Sequence, residues 1–334
     1  MPYGGAAMAK VWTILGDRLA PAEKLAPHGG RTAEAEGMAR PSRVPTVMIV
    51  GPEHAADDEF GRVGMGVVAQ LPHAAMPFAE VGDTCAVGVV VLPPAGRRAA
   101  EAPRFAFSLT SSELVIVDGD GVCAPVLNAL SSDDVAVESC ADVLCCLLAE
   151  PLREQPELLS RVRADFEEFE QLLLEGRERI DRAKMMADSR RMLGLDTFYQ
   201  GLSDIAGLLG GEDAAFMSPV SRARFAALSR QLDRLSARLE SLQNYALQVN
   251  GLYQEGIDIR QNNVMQWLTV VTTIAMPLTV ITGWYGMNFP HMGLIDAADG
   301  YLLVACVCIV IVVAEVVFFY RRGWLRFGSR RRRR

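Results

Sequence analysis

The chain has 334 residues, of which 50% are hydrophobic and 22% are charged, and its formal net charge is -7. This length is sufficient for two or three domains. We find no phosphate-binding loop, nucleophile elbow or metal-ligand spacing, so we expect neither an enzyme nor an organic cofactor, and no nucleic-acid partner.

Residues 1–44 are rich in Gly, Ala, Pro and isolated charges and show no clear periodicity. They predict a loosely structured leader with at most one short strand or helix. The apolar patch near its start is short and soon followed by charges, which is too weak for a secretory signal. The N-terminal part is therefore expected to stay in the cytoplasm.

Strand signals recur over residues 45–150, where β-branched or aromatic runs are separated by Pro, Gly and Asp. These runs are at 44–51, 85–92, 104–110 and 113–121. The last two predict a hairpin, divided by Ser111 and Ser112, and a capped helix follows over 131–150. This region predicts a cytoplasmic α/β domain. The seven cysteines have no CxxC spacing and are interpreted as reduced, mostly buried hydrophobic residues.

Residues 151–217 predict a cytoplasmic helical segment, with a charged Leu-rich run at 161–194 and a further helix around 197–209. Ser218 and Pro219 predict the start of a stalk helix over 218–264. Its apolar residues repeat at spacings of three and four: Phe225, Leu228, Leu232, Leu235, Leu239, Leu242, Ala246, Val249 and Tyr253. This seam fits packing within one chain or between copies. No further proline occurs before Pro277, so one helix of roughly 100 Å is expected to continue into the membrane.

Two apolar blocks near the C-terminus predict membrane spans. Residues 261–295 contain no Asp, Glu, Lys or Arg, and residues 301–320 are interrupted only by Glu315. Each block is long enough to cross about 30 Å of hydrocarbon. We predict a first transmembrane helix over 265–284, an outer loop over 285–300 and a second transmembrane helix over 301–320.

Arg and Lys placement predicts the orientation. The outer loop has neither residue, whereas residues 321–334 form a basic tail. Both termini are therefore expected in the cytoplasm, in the cytoplasmic (inner) membrane. The tail fixes topology and binds anionic lipid, or alternatively acts in gating. Glu315 is six residues from Arg321, so snorkelling or pairing with it would explain an acid in the span.

One face of the first span is polar or soft, whereas the other sides carry branched apolar residues. The face consists of Asn262, Met265, Thr269, Thr272, Met276 and Thr279. It fits a pore lining, although threonines in membrane helices also bond their own backbone. Two spans per chain enclose no pore, so a conducting assembly needs several copies around an axis.

The run Tyr285-Gly286-Met287-Asn288-Phe289, preceded by Met276-Pro277-Leu278-Thr279, resembles the CorA family of divalent-cation channels over about residues 45–326. The resemblance implies an α+β membrane protein with a cytoplasmic α/β domain and a very long stalk helix. That helix would continue into the first of two C-terminal transmembrane helices, and the assembly would be a homopentameric funnel. It implies transport of magnesium, and magnesium bound in the cytoplasmic part would close the channel.

The resemblance also implies roles for single residues. Gly286, Met287 and Asn288 would form the selectivity filter, with the Asn288 oxygens contacting a still-hydrated ion. Leu268 and Met276 match positions that narrow the pore, Thr279 lies between them and the filter, and Asn262 matches a cytoplasmic polar ring. The alternative is that Gly-Met-Asn only ends the helix.

The outer loop departs from the family pattern. Leu294 stands where many members carry a glutamate, which leaves Asp296 and Asp299 to attract cations. A zinc, cobalt or nickel transporter of the same family is therefore an alternative to magnesium. Asp57, Asp58 and Glu59 are a candidate regulatory metal cluster, or solvated surface. From another class, the chain could be a membrane-anchored sensor or scaffold that conducts nothing.

Overall fold

The structure is a computed structural model. It describes residues 10–22, 44–53, 69–93, 102–132, 136–176, 181–287 and 300–324. The chain divides into two compact units, Met1–Val249 and Asn250–Arg334.

Seven strands of the first unit form one sheet. They are β1 (Lys10–Leu15), β2 (Arg18–Pro21), β3 (Thr46–Val50), β4 (Phe78–Val81), β5 (Cys85–Val91), β6 (Arg104–Thr110) and β7 (Glu113–Asp118). The spatial order is β2-β1-β3-β7-β6-β5-β4. β3 and β7 are parallel, and all other neighbours are antiparallel. The four predicted strand runs are β3, β5, β6 and β7, and the predicted hairpin of β6 and β7 is confirmed.

The two faces of the sheet are both covered, as the alternation of side chains along each strand requires. On β7, Leu114 and Ile116 join the main hydrophobic core with the helices. Val115 and Val117, which alternate with them, join a second cluster that includes Leu71. These runs are almost continuously apolar because both of their faces are buried.

The prediction of a loose leader over residues 1–44 is wrong for residues 10–22. They form β1 and β2, and β1 pairs with both β2 and β3. Trp12, Ile14 and Leu19 are buried in the main core. Two short strands of mixed composition carry little periodic signal, and only pairing with β3 gives these residues an apolar surface to cover.

Six helices of ten or more residues follow the sheet in the described part of the chain. They are α1 (Cys123–Ser132), α2 (Cys140–Ala149), α3 (Gln155–Leu174), α4 (Arg182–Gly210), α5 (Pro219–Tyr285) and α6 (Gly300–Arg321). The helix predicted over 131–150 is α2, and its cap is Ser139, whose Oγ accepts the Asp142 backbone N–H at 3.2 Å. The charged run at 161–194 divides between α3 and α4, because the chain leaves the helix at Gly176 with φ 69°.

The apolar seam of α5 packs inside its own chain. Its residues from Phe225 to Val249 are between 0% and 6% exposed and belong to one core with α3 and α4. Polar contacts join the same helices: the Tyr245 hydroxyl donates to Glu170 Oε2 at 2.5 Å, and Ser203 Oγ donates to Asp233 at 3.3 Å. Of the two alternatives for this seam, packing within one chain is the one observed for residues 225–249.

The start of α5 contacts α2 and its N-terminal cap. Ser218 Oγ accepts the Ser221 backbone N–H at 3.1 Å, which caps the helix at the predicted residue. Ser221 Oγ lies 3.0 Å from Ser139 Oγ of the α2 cap. Arg224 forms an ion pair with buried Asp142 at 3.1 Å, without hydrogen-bond alignment to that oxygen.

The second unit contains the two helices that are long and apolar enough to cross a membrane. α5 has 67 residues and continues through Pro277, as predicted, so its length is about 100 Å. α6 has 22 residues. Only 6% of the apolar window in each helix is buried, which is unlike the core helix of a soluble protein.

Candidate functional site

The C-terminal part of α5 has a covered face and an exposed face. Val270 is 2% exposed, and Ile274 and Ile281 are half-buried at helical spacing from it. On α6, buried or half-buried residues also repeat at helical spacing: Gly300, Val304, Cys308, Val312, Glu315 and Phe319. Leu278 borders a groove together with residues of α6. The pairing of the two helices therefore fixes which face of α5 stays exposed.

The six residues predicted to line a pore all lie on the exposed face of α5. Their spacings of three and four residues keep them in line along the helix, away from the Val270 side. Met265, Leu268 and Met276 are 55%, 56% and 69% exposed, and Asn262, Thr272 and Thr279 are exposed as well. Large thioether and leucine side chains thus lie between amide and hydroxyl groups along a surface that the chain itself does not cover.

The threonine hydroxyls of this face donate to their own helix. Thr272 Oγ1 donates to the Leu268 carbonyl at 2.8 Å, and Thr279 Oγ1 donates to the Ala275 carbonyl at 2.8 Å. A hydroxyl has one donor hydrogen and two acceptor lone pairs. With the hydrogen engaged by the backbone, each oxygen presents acceptors outward. The backbone-bonded geometry is thus compatible with contact to a cation or to its hydration water.

The predicted filter begins where α5 ends. The Gly286 N–H donates to the Thr282 carbonyl at 2.8 Å, and the helix ends at Tyr285. A Cβ on residue 286 would lie 2.8 Å from the Thr282 carbonyl oxygen, so glycine is required by a close approach of backbone atoms. Gly286 is not in the left-handed region, so a special turn is not its reason. Met287 is 50% exposed.

Several predicted residues lie outside the described part of the chain. They are the filter residue Asn288, the outer-loop acids Asp296 and Asp299, and the candidate regulatory cluster Asp57, Asp58 and Glu59. Their roles stay predictions. Within the described ranges, no group of three or more His, Cys, Asp or Glu side chains is placed to hold a metal ion.

One residue of the exposed face was missing from the prediction. Gly283 follows Thr279 by four residues, and a Cβ on it would meet nothing within 4 Å. It continues the same face toward Gly286 with no side chain. The helical spacing from Thr279 was the signal that could have identified it.

The thiols of the first unit do not favour a soft-metal site. Burial raises the pKa of Cys140 and of Cys145 to about 12 and raises the pKa of Cys123 further. The thiolate is the form that ligates metals, and it is suppressed at neutral pH. All seven cysteines are free, but only Cys123 and Cys140 are buried, so the prediction that most of them are buried is wrong.

A cavity of about 800 Å³ lies beside α3 and α4 in the first unit. Its acidic residues Glu150, Glu154 and Asp188 are balanced by three arginines, Arg161, Arg190 and Arg191. This balance of charge does not select a divalent cation, so the cavity is not the predicted regulatory metal site.

Glu315 is half-buried on α6. One carboxylate oxygen, Oε2, is buried and has no hydrogen-bond partner in the described part of the chain. Glu315 falls on the covered face of α6, in line with Val312 and Phe319. Oε2 is therefore not paired with Arg321, and snorkelling stays a prediction.

Known proteins resemble the chain in sequence and in fold. The cobalt/magnesium transport protein CorA of Thermotoga maritima is 44% identical over 80 residues, which are 23% of each chain. The protein of the same description from Methanocaldococcus jannaschii is 28% identical over 183 residues, 54% of this chain and 56% of the relative. The chain thus spans less than two thirds of the length of either curated relative.

A solved structure shares the fold over nearly the whole chain. The complete structure of the CorA magnesium transporter from Methanocaldococcus jannaschii matches with a TM-score of 0.69, covering 96% of this chain and 100% of that one at 19% identity. The family model described as "CorA-like Mg2+ transporter protein" matches residues 103–322. This match includes β6, β7, the helices α1 to α6 and the exposed face that ends at Gly286, and the chain belongs to the CorA-like Mg2+ transporter family.

Proposed function

We propose that the chain forms a homopentameric channel that carries divalent cations, magnesium first among them, across the cytoplasmic membrane. The observation that carries the proposal is the exposed face of α5. It combines hydroxyl, amide and thioether groups on an otherwise apolar part of the helix. It ends at Gly286, where a Cβ would be too close to the Thr282 carbonyl oxygen. Membership of the CorA-like Mg2+ transporter family supports a transport role for this face.

The face needs other copies to become a pore. α5 and α6 of one chain cover each other on one side only, and two helices enclose no channel. Copies arranged around an axis would place their exposed α5 faces toward that axis. Lipid would then contact the outer surfaces of the helices, where the large apolar residues Leu302, Val310 and Phe318 are exposed.

Each level of the face would act differently on the ion. Rings of Asn288 side chains and Gly286 backbone would present neutral oxygens to the hydration shell of magnesium, which sheds water reluctantly. The threonine oxygens would continue this acceptor surface inward. Rings of Met276 and Leu268 would narrow the path and close it by dewetting. Asn262 would form the cytoplasmic polar ring.

Cytoplasmic divalent ions would bias the assembly toward its closed state by binding that state more tightly. The described residues of one chain offer no cluster of three metal ligands. Such a site would therefore need groups from two copies or the Asp57, Asp58 and Glu59 cluster. The basic tail would anchor the inner surface at anionic lipid.

Flux into liposomes tests the proposal. Purified full-length protein should carry magnesium into vesicles loaded with a magnesium-sensitive dye, and Asn288→Ala should abolish that flux while leaving the oligomer intact. Asn263→Ala is the matched control, because it removes the same side chain one residue beyond Asn262. Normal flux through a well-assembled Asn288→Ala variant would overturn the filter assignment.

Ion competition on the same vesicles separates the alternatives. Flux of zinc, cobalt or nickel with none of magnesium would assign the chain to transition-metal transport. The loss of the usual outer-loop glutamate, with Leu294 in its place, is the feature that makes this comparison necessary. No flux of any of these ions would favour a sensor or scaffold.

A further inference from the structure

A row of arginines marks the exposed side of α5 in the first unit. Arg230, Arg234 and Arg238 are spaced by four residues, so each lies about 6 Å along the helix from the last on one face. All three are exposed. We call these three residues the arginine row.

The arginine row lies opposite the buried seam. Leu232, Leu235 and Leu239 face the core of the chain, and the row occupies the other side of the same turns. Its neighbours along that side are small or uncharged: Ala223, Ala227, Ala237, Ser241 and Gln248. The α5 acid closest to the row, Asp233, is engaged with α4, where it accepts from Ser203.

Within the described ranges, the row has no ion-pair partner in its own chain. The ion pairs there involve other arginines, such as Arg224 with Asp142 and Arg163 with Glu167. Three like charges on successive turns repel one another in an isolated helix. The chain as a whole is acidic, with a net charge of -7, so the remainder of the chain outside the row is more acidic still.

We propose that the arginine row docks against the acidic surface of a second copy of this chain, so that guanidinium–carboxylate pairs join neighbouring cytoplasmic units. This inference rests on the proposed oligomeric channel. A row that faced the ion path would repel entering cations, which favours a position between copies. Guanidinium groups suit this contact because they bind carboxylates in a bidentate manner. Exposed carboxylates of the same unit, such as Glu168 on α3, supply the complementary charge.

The contact predicts a response that differs from that of a metal-bridged interface. Guanidinium–carboxylate pairs weaken with ionic strength and are insensitive to chelators. An interface of carboxylates bridged by a divalent ion would instead be disrupted by chelators and would be less sensitive to monovalent salt. Cytoplasmic contact between copies should therefore persist in excess EDTA and decrease in about 0.5 M monovalent salt.

Carbodiimide crosslinking of the full-length oligomer tests the proposal. Arg234→Lys keeps the charge and introduces an amine that the reagent couples to a touching carboxylate. In a mixture of isotopically light and heavy chains, we expect the new amine at position 234 to be joined to an acidic peptide of the other label. Lys184, whose Nζ lies 2.6 Å from Asp165 Oδ1, is the internal positive control for coupling.

A second variant tests whether the flanking arginines contribute to the contact. Adding Arg230→Glu and Arg238→Glu should lower the yield of the crosslink between chains about tenfold, because the flanking charges then repel the partner. Arg153→Glu with Arg190→Glu, two exposed arginines outside both α3 and the row, is the control for charge reversal elsewhere. These changes should leave the Lys184 product unchanged.

Other outcomes overturn the inference. One is that the reagent couples Lys184 but yields no crosslink between chains from the amine at position 234. Protection of that amine by added tripolyphosphate would identify a polyanion as the partner instead. Faster cation flux in Arg234→Ala, together with no crosslink from Arg234→Lys, would place the row on the ion path. A protein that is monomeric in the mass measurement would instead contradict the proposed channel itself.

Discussion

Leu239 distinguishes packing within the chain from packing between copies. It is 0% exposed and lies in the core formed with α3 and α4. Replacing a buried leucine with alanine removes apolar contacts and leaves a cavity, which costs about 2–5 kcal/mol. Leu247 is on the same helix but is 68% exposed. Leu247→Ala should change the free energy of unfolding by no more than about 0.5 kcal/mol.

Thermal unfolding of the full-length protein, followed by circular dichroism, measures this difference. The melting temperature of a unit of this size shifts by about 2–4 °C for each kcal/mol, so Leu239→Ala should lower it by roughly 4–20 °C. Leu247→Ala should melt with the unchanged protein. The mass of the oligomer at low temperature should be the same in both variants, because neither leucine is assigned to a contact between copies.

Two results would refute this reasoning. If Leu239→Ala dissociated the oligomer without lowering the melting temperature, the seam would be an interface between stalks. If both leucine variants lost the same stability, burial in the first unit would not be what distinguishes them.

Three further predictions concern single side chains. Glu315→Leu should raise stability by about 1–3 kcal/mol, because the buried carboxylate oxygen lacks a partner in the described part of the chain; loss of flux in a stable variant would instead assign Glu315 a transport role. Burial and the hydrogen bond to Glu170 raise the pKa of Tyr245 to about 12. The neutral phenol therefore stabilises the fold fully below about pH 10, and this contribution to the free energy of unfolding is lost as pH rises toward 12. Tyr245→Phe should remove that pH dependence and cost about 1 kcal/mol, and an unchanged pH profile of melting would contradict it. Gly286→Ala should reduce flux at least about tenfold, because its Cβ would meet the Thr282 carbonyl, whereas Gly283→Ala has open space and should keep the helix end intact.

Much of the fold followed from local patterns. The runs at 104–110 and 113–121 predicted a hairpin because alternating apolar residues and a two-residue connection specify it locally. Ser218 and Pro219 specified the start of α5 through capping chemistry. The position of β1 and β2 did not follow, since their burial depends on β3, which lies well beyond them along the chain.

Part of the candidate site could also be predicted from the sequence. The spacing of Asn262, Met265, Thr272, Met276 and Thr279 specified one face of a helix. Only the packing of α6 showed that this face is the exposed one, because spacing alone does not say which side a neighbouring helix covers.

The sequence by itself determined the two apolar helices, the polar face of α5 and the family motif, because composition and helical spacing are local properties. The tertiary structure alone decided that the seam serves its own chain, that the buried oxygen of Glu315 has no partner among the described residues, and that the arginine row is exposed. These properties depend on which surfaces meet, and surfaces meet through contacts between residues far apart in the chain.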